Sequence, residues 1–214
     1  DRILNAVDDK LGKQPTVGIF HSMSARTAMK HAVEVGWRWD ALVLFDPPNV
    51  PPVGHPRYAA MDVFENRLVQ WALGRQRQFN TVEELAEEYR QSRATERWVP
   101  GMHALMARAV LRQDPGGNGW NLVCAPENEA AIYAEAMVLN LWPRADAFAG
   151  PVKLVGADPD MKGAPATALT NQALAVENGY DYASVPGTGH LLQIEKPLEC
   201  VRLVEEFLAK SGTR

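Results

Sequence analysis

Residues 16–24 read Thr16-Val-Gly-Ile-Phe20-His21-Ser22-Met23-Ser24, an apolar segment that runs at once into a helical pattern. A serine on a strand-to-helix turn is held in a strained, exposed position, with its hydroxyl above the edge of the sheet. We therefore predict that Ser22 is a nucleophile; the alternative is an N-cap of the following helix, a common role of serine. Ser24 is the rival nucleophile, but Arg26 two residues later would crowd the turn.

A histidine that could act as the general base lies near the other end of the chain, in Gly187-Thr188-Gly189-His190. A distant histidine on a glycine-flanked loop is the usual partner of a nucleophilic hydroxyl. The alternative is a loop histidine that is satisfied by backbone groups. We predict that His190 is the base.

Three aspartates follow apolar segments and are candidates for the carboxylate that orients the histidine. Asp158 and Asp160 follow residues 151–155; we expect Asp158 to be the acid, with Asp160 as the alternative acid or a turn or helix cap. Asp46 follows residues 41–45 and is expected to cap the end of that strand. A metal between Asp158 and Asp160 is not expected, because no second His or Cys stands at ligand spacing.

The composition argues against several other classes of protein. The net charge is −4 and no basic stripe stands out, which argues against nucleic acid and anionic membrane surfaces as partners. No apolar run approaches the ~20 residues of a membrane span. Cys124 and Cys200 form no disulfide framework and are interpreted as small buried apolar residues in a reducing compartment. We predict a cytoplasmic protein.

The segment Ala41-Leu-Val-Leu-Phe45 is apolar at every position, which is typical of a strand buried on both faces of a parallel sheet. Helices must then cover both faces, so the fold class is α/β. Strands are predicted at 16–20, 41–45, 151–155 and 181–185, and helices at 82–89, 102–110, 130–141 and 166–178 and from 197 onward. Strand patterns largely stop between residues 47 and 147, which predicts a helical insertion.

These segments resemble the α/β-hydrolase superfamily, in particular esterase-like members with a helical cap. Residues 20–25, Phe-His-Ser-Met-Ser-Ala, are similar to the family's Gly-His-Ser-Met-Gly-Gly elbow, and residues 186–197 are similar to its histidine loop. The order serine, aspartate, histidine along the chain is also that of this family. The resemblance implies a mostly parallel sheet flanked by helices. Residues 1–46 and 148–214 would form the core, and residues 47–147 the cap.

The resemblance also implies a mechanism, in which Ser22 attacks an acyl carbonyl, His190 transfers the proton and Asp158 orients the imidazole. The backbone N–H of Met23, at the start of the helix, is expected to be one oxyanion donor. The predicted function is cleavage of a small-molecule substrate, a small or medium acyl ester, through an acyl-enzyme and without a cofactor. Two alternatives stay open: cleavage of a carbon–carbon bond by the same triad, and a non-catalytic ligand- or partner-binding protein.

Two features depart from the family pattern. Phe20 stands two residues before the nucleophile, where the tight elbow normally has a small residue. The family also places several strands and a Gly-rich oxyanion loop ahead of the elbow, whereas only one helix pattern precedes it here. We therefore expect the core to lack its N-terminal part, which a further N-terminal segment or a second polypeptide would supply.

Overall fold

The computed structural model describes residues 2–12 and 15–212, in which helices and strands alternate at both ends of the chain. The strands are β1 (Val17–His21), β2 (Ala41–Phe45), β3 (Gln78–Phe79), β4 (Leu111–Gln113), β5 (Trp120–Leu122), β6 (Val152–Gly156) and β7 (Asp181–Ser184). The helices are α1 (Arg2–Leu11), α2 (Ser22–Glu34), α3 (Tyr58–Leu73), α4 (Val82–Gln91), α5 (Met102–Val110), α6 (Pro126–Ala134), α7 (Ala136–Leu139), α8 (Ala166–Asn178), α9 (Leu192–Glu195) and α10 (Pro197–Ser211).

The main sheet has four strands in the order β1-β2-β6-β7, and every neighbouring pair is parallel. All five residues of β2 are buried, because the strand has a neighbour on each side and helices on both faces. Leu42 and Leu44 face α2 and α8, whereas Ala41, Val43 and Phe45 face α10. The α/β class with a parallel sheet flanked by helices is thus confirmed.

The carboxyl ends of these parallel strands all lie at one edge of the sheet, where ligands of open α/β sheets usually bind. Ser22 follows β1 directly and Asp46 follows β2 directly. His190 lies beyond β7, in the loop before α9. The topology therefore brings three residues that are far apart in the sequence to the same edge.

The segment between β2 and β6 contains a small antiparallel sheet in addition to its helices, which corrects the prediction of an all-helical insertion. The strand order is β3-β5-β4, and the strands are two or three residues long. Strands this short show no alternation of apolar and polar residues, so the sequence reveals only the turn between β4 and β5.

The predicted helix at 130–141 also differs from the structure: α6 ends at Ala134 and α7 covers Ala136–Leu139. Phe79, Leu85 and Leu111 are among the residues of a separate apolar core in this segment.

Phe20 fits at the elbow because the residue two positions earlier on the same face of β1 is a glycine. A Cβ atom at Gly18 would come within 2.6 Å of both Leu42 Cδ2 and Phe20 Cε2. The ring of Phe20 occupies that space and packs edge-on against Trp39, with the ring centroids 5.3 Å apart. The bulky residue is thus compensated on its own strand.

In the described part of the chain, β1 is an edge strand that pairs only with β2. The side chain of Ile19 on this strand is 53% exposed. The expectation that further strands complete the sheet next to β1 stays a prediction. Within residues 2–12 and 15–212, no helix combines the length and the apolar character that crossing a bilayer requires.

Candidate active site

Ser22 lies in the sharp turn between β1 and α2 with φ of +53°, a left-handed conformation that is unusual for a residue other than glycine. This turn directs the hydroxyl toward His190, whose Nε2 lies 2.8 Å from Ser22 Oγ. The N-cap position of α2 is taken by His21. Ser24 Oγ donates to the carbonyl oxygen of His21 at 2.7 Å, so the rival serine serves the cap. The strain at Ser22 is of the kind found where a side chain is held for function.

His190 is held on several sides. Its backbone carbonyl accepts a hydrogen bond from His21 Nε2 at 2.8 Å, and the N–H of Gly189 before it donates to Glu195 Oε2 at 2.9 Å. The ring of Phe64, from α3, lies edge-on to the imidazole with centroids 6.2 Å apart. The His190 side chain is 26% exposed. The imidazole is therefore fixed in orientation but still partly accessible to solvent.

The carboxylate that contacts His190 is Asp46, which corrects the sequence-based choice of Asp158. Asp46 Oδ2 lies 2.6 Å from His190 Nδ1, and the residue is fully buried. Asp46 has φ of +40°, so the chain turns sharply at the end of β2. The side chain thereby points along the edge of the sheet toward the neighbouring loops and does not cap its own strand.

Three further donors hold the Asp46 carboxylate. Thr167 Oγ1 donates to Oδ2 at 2.5 Å, Asn171 Nδ2 donates to Oδ1 at 2.9 Å, and the N–H of Ala157 donates to Oδ1 at 3.2 Å. Burial by itself would raise the pKa of Asp46, but the hydrogen bond and charge of His190, with the Thr167 hydroxyl and the Ala157 N–H, outweigh it and lower the pKa. Asp46 is therefore held as a carboxylate, as the orientation of a histidine requires.

Asp158 and Asp160 lie apart from the histidine. Asp158 Oδ2 accepts from the N–H of Gly187 at 2.7 Å, and its Oδ1 accepts from the N–H of Asp160 at 2.9 Å. These backbone donors lower the pKa of Asp158. These two donors hold the Asp158 carboxylate within its own loop, whereas the sharp turn at Asp46 directs that carboxylate to the imidazole. Asp158 instead shapes the loop that carries His190.

His21, directly before Ser22, is a neutral hydrogen-bond donor. Burial and the neighbouring His190 lower the pKa of His21 to about 4. A neutral ring that donates from Nε2 to a carbonyl has its proton on that nitrogen. This bond links the elbow to the histidine loop.

A buried ion pair behind the elbow was missed from the sequence. Arg26 on α2 and Glu65 on α3 are each 1% exposed, and Arg26 Nη1 lies 3.7 Å from Glu65 Oε1. Neither carboxyl oxygen of Glu65 has a hydrogen-bond partner among the described residues. Burial raises the pKa of Glu65 to about 7, against the opposing effects of Arg26 and His190. α3 was not predicted from the sequence, so this contact between α2 and α3 was not expected either.

A cavity of about 390 Å³ adjoins the elbow, and Met23 forms part of its wall. Met23 is the second residue of α2, where the N–H groups have no partner within the helix. The predicted oxyanion donor therefore lies at the free N-terminal end of a 13-residue helix, whose dipole favours negative charge.

Cys124, which was expected to be buried, is exposed and lines the same cavity, whereas Cys200 is buried. No cluster of three or more potential metal ligands occurs within residues 2–12 and 15–212.

The sequence model described as "Alpha/beta hydrolase family" matches residues 1–203. The chain belongs to the alpha/beta hydrolase family. No curated protein matches it by sequence.

Several solved structures share this alpha/beta hydrolase fold at low sequence identity. An E-2-(acetamidomethylene)succinate hydrolase is 15% identical with a TM-score of 0.69, over 97% of this chain and 72% of that one. MenH from S. aureus is 14% identical with a TM-score of 0.63, over 99% of this chain and 74% of that one. A thioesterase domain from the curacin biosynthetic pathway is 18% identical with a TM-score of 0.60, over 95% of this chain and 71% of that one. At these identities the likeness shows the fold alone.

Proposed function

We propose that this alpha/beta hydrolase is a carboxylesterase-like serine hydrolase that cleaves an acyl ester through Ser22, His190 and Asp46. The observation that carries the proposal is the continuous chain of contacts from the Ser22 hydroxyl through the imidazole to a buried carboxylate, with distances of 2.8 and 2.6 Å. Nucleophile, base and orienting group in this geometry are the recurring arrangement of acyl-transfer enzymes.

In the first half-reaction, Ser22 Oγ attacks the ester carbonyl carbon while His190 Nε2 takes the hydroxyl proton. The tetrahedral intermediate has a negative oxygen, toward which the N–H of Met23 is available. When the bond to the alcohol breaks, His190 returns the proton to the leaving oxygen, and an acyl-enzyme remains. A water molecule then attacks the acyl carbonyl with His190 again as base, which releases the acid and restores the Ser22 hydroxyl.

Asp46 has two roles in this proposal. Its hydrogen bond from Nδ1–H holds the tautomer in which Nε2 is free to accept the proton of Ser22. Its negative charge also stabilises the imidazolium that forms after transfer. The three other donors on the carboxylate keep it charged and fixed while His190 changes its protonation state.

The unpaired state of Cys124 and Cys200 supports the proposed cytoplasmic location, where thiols stay reduced. We propose a small-molecule acyl substrate for the site, and no metal or cofactor enters the steps above.

The test is active-site labelling with a fluorophosphonate, which reacts with an activated serine, together with hydrolysis of 4-nitrophenyl acetate. We expect labelling and turnover in the wild type, their loss in Ser22→Ala and their retention in Ser24→Ala. The second variant is the matched control, because Ser24 lies two residues away and bonds to the helix cap. Folded protein that neither labels nor turns over would favour a ligand-binding role. Labelling with release of a carbon–carbon cleavage product, but no ester turnover, would favour that alternative reaction.

A further inference from the structure

The cavity beside the elbow is formed almost entirely by the segment inserted between β2 and β6. Of its ten lining residues, only Met23 comes from outside that segment. Met23 directly follows Ser22 in the chain, so this wall of the cavity begins one residue from the proposed nucleophile.

The wall of the cavity is mostly aliphatic. Its apolar side chains come from α5, from β5 and the residue after it, and from α6: Ala109, Val110, Leu122, Val123 and Ile132. Val123 and Ile132 are about half exposed, so the cavity opens to solvent on their side. Aliphatic walls favour a ligand whose own surface is apolar, in proportion to the area removed from water.

The polar side chains at one corner of the cavity already form hydrogen bonds with one another. Arg75 Nη1 donates to Glu129 Oε2, and Tyr133 Oη donates to Glu129 Oε1 at 3.2 Å. The Arg75 guanidinium also lies over the ring of Trp71, 4.9 Å from its centroid. The opposite charges of Arg75 and Glu129 cancel, and both carboxylate oxygens have a donor. A carboxylate on a bound ligand would have to displace Glu129 from Arg75 and would face its negative charge.

We propose that this cavity binds the acyl chain of the substrate, and that the enzyme prefers uncharged aliphatic acyl groups of medium length over acetyl groups and over chains ending in a carboxylate. The inference rests on the proposed esterase function and adds the substrate class to it. Met23 joins the two parts of the site, because its N–H serves the oxyanion and its residue borders the acyl cavity.

The first experiment compares 4-nitrophenyl esters from acetate to octanoate with the half-ester of suberic acid, an eight-carbon chain with a terminal carboxylate. We expect kcat/KM to rise with chain length by up to about fourfold per methylene. We expect the suberate half-ester to be at least tenfold poorer than octanoate. An unchanged kcat/KM along the series, or a preference for the charged chain, would overturn the inference.

The second experiment fills the cavity with Ile132→Trp and uses Val138→Trp as the matched control. Val138 is 73% exposed on α7 and does not line the cavity, so both variants place one indole on the surface of the same segment. We expect Ile132→Trp to lower kcat/KM for octanoate at least tenfold and to leave acetate within about twofold, whereas Val138→Trp changes neither. An equal loss for both esters in Ile132→Trp would contradict binding of the chain at this place.

A third measurement separates the cavity from catalysis. In Ser22→Ala protein, alkylation of the exposed Cys124 reports on occupancy, because Cys124 lines the cavity and Cys200 is buried. Octanoate esters are expected to slow alkylation of Cys124, and acetate esters are not. Protection of Cys124 without fluorophosphonate labelling of the wild type would refute the esterase proposal but keep the apolar binding site. Fluorophosphonate labelling of the wild type without protection of Cys124 would support the esterase proposal and refute binding of the acyl chain in this cavity.

Discussion

The replacement Asp46→Asn is the sharpest test of the site, because it changes the charge and hydrogen bonding of one buried group with little change in shape. The asparagine amide N–H₂ would face His190 Nδ1, which now donates to Asp46 Oδ2 at 2.6 Å. To accept from that amide, the imidazole would carry its proton on Nε2. Nε2 could then no longer accept the proton of Ser22, 2.8 Å away.

The expected size of the effect follows from the role of the carboxylate in a serine–histidine–aspartate site. A wrong tautomer with intact geometry costs ~10⁴ in kcat in the serine-protease template, equivalent to about 5.5 kcal/mol in the activation barrier. The donors Thr167 and Asn171, which now face a carboxylate, would meet an amide that accepts through only one oxygen. We therefore expect kcat to fall by about three to four orders of magnitude.

The assay is steady-state hydrolysis of 4-nitrophenyl esters, with Asp158→Asn as the matched control. Asp158 accepts from two backbone N–H groups near the surface, so its variant should keep kcat within a few-fold of the wild type. Thermal unfolding of both variants checks that the fold is intact. A folded Asp46→Asn enzyme with more than a tenth of wild-type kcat, or an Asp158→Asn enzyme with the larger loss, would show that the assignment of the acid is wrong.

Three other predictions concern the surroundings of the site. Thr167→Val removes a hydrogen-bond donor from the buried Asp46 carboxylate, a bond worth about 1.5–3 kcal/mol, so kcat should fall about tenfold or more. Thr167→Ser keeps the hydroxyl and should have the kcat of the wild type. A low kcat in Thr167→Ser would contradict the role of the hydroxyl. Glu65→Gln should remove a pH dependence of the free energy of unfolding, because the pKa of Glu65 in the folded protein is about 7 and the ordinary value is 4.5. Protonated Glu65 stabilises the wild-type fold fully below about pH 4.5. On the order of 3 kcal/mol of this stabilisation is lost as the pH rises through about 7. Urea unfolding of both proteins at several pH values measures this, and a constant difference between them would refute it. Gly18→Ala places a methyl group 2.6 Å from Phe20 Cε2 and should lower the free energy of unfolding by about 1–3 kcal/mol, whereas an unchanged urea midpoint would mean that β1 relaxes freely.

The α/β class was predictable because its signals are local. Ala41–Phe45 is apolar at every position, and only a strand covered on both faces by helices requires that pattern. The end of α8 at Gly179, which has φ of +76°, was likewise visible as a glycine after the last periodic residue. Ser22 and His190 were singled out for the same reason, since each is marked by its immediate neighbours in the chain, and the structure brings the two side chains into contact.

The choice of acid was not local and was predicted wrongly. Asp46 and Asp158 each come shortly after a buried apolar strand, so the sequence around them is equivalent. Which carboxylate meets His190 is decided by the sharp turn at Asp46 and by the backbone N–H groups that hold Asp158 in its own loop. Tolerance of Phe20 at the elbow likewise depends on packing against Gly18 and Trp39, and not on the elbow motif.

The sequence by itself determined the α/β class and pointed to the serine and the histidine of the candidate site. Only the tertiary structure decided the third member, the buried pair of Arg26 and Glu65, and the short strands of the inserted segment. The physical reason is range: periodicity and turn chemistry act over a few residues, whereas the choice between equivalent side chains depends on which strands and helices become neighbours in space.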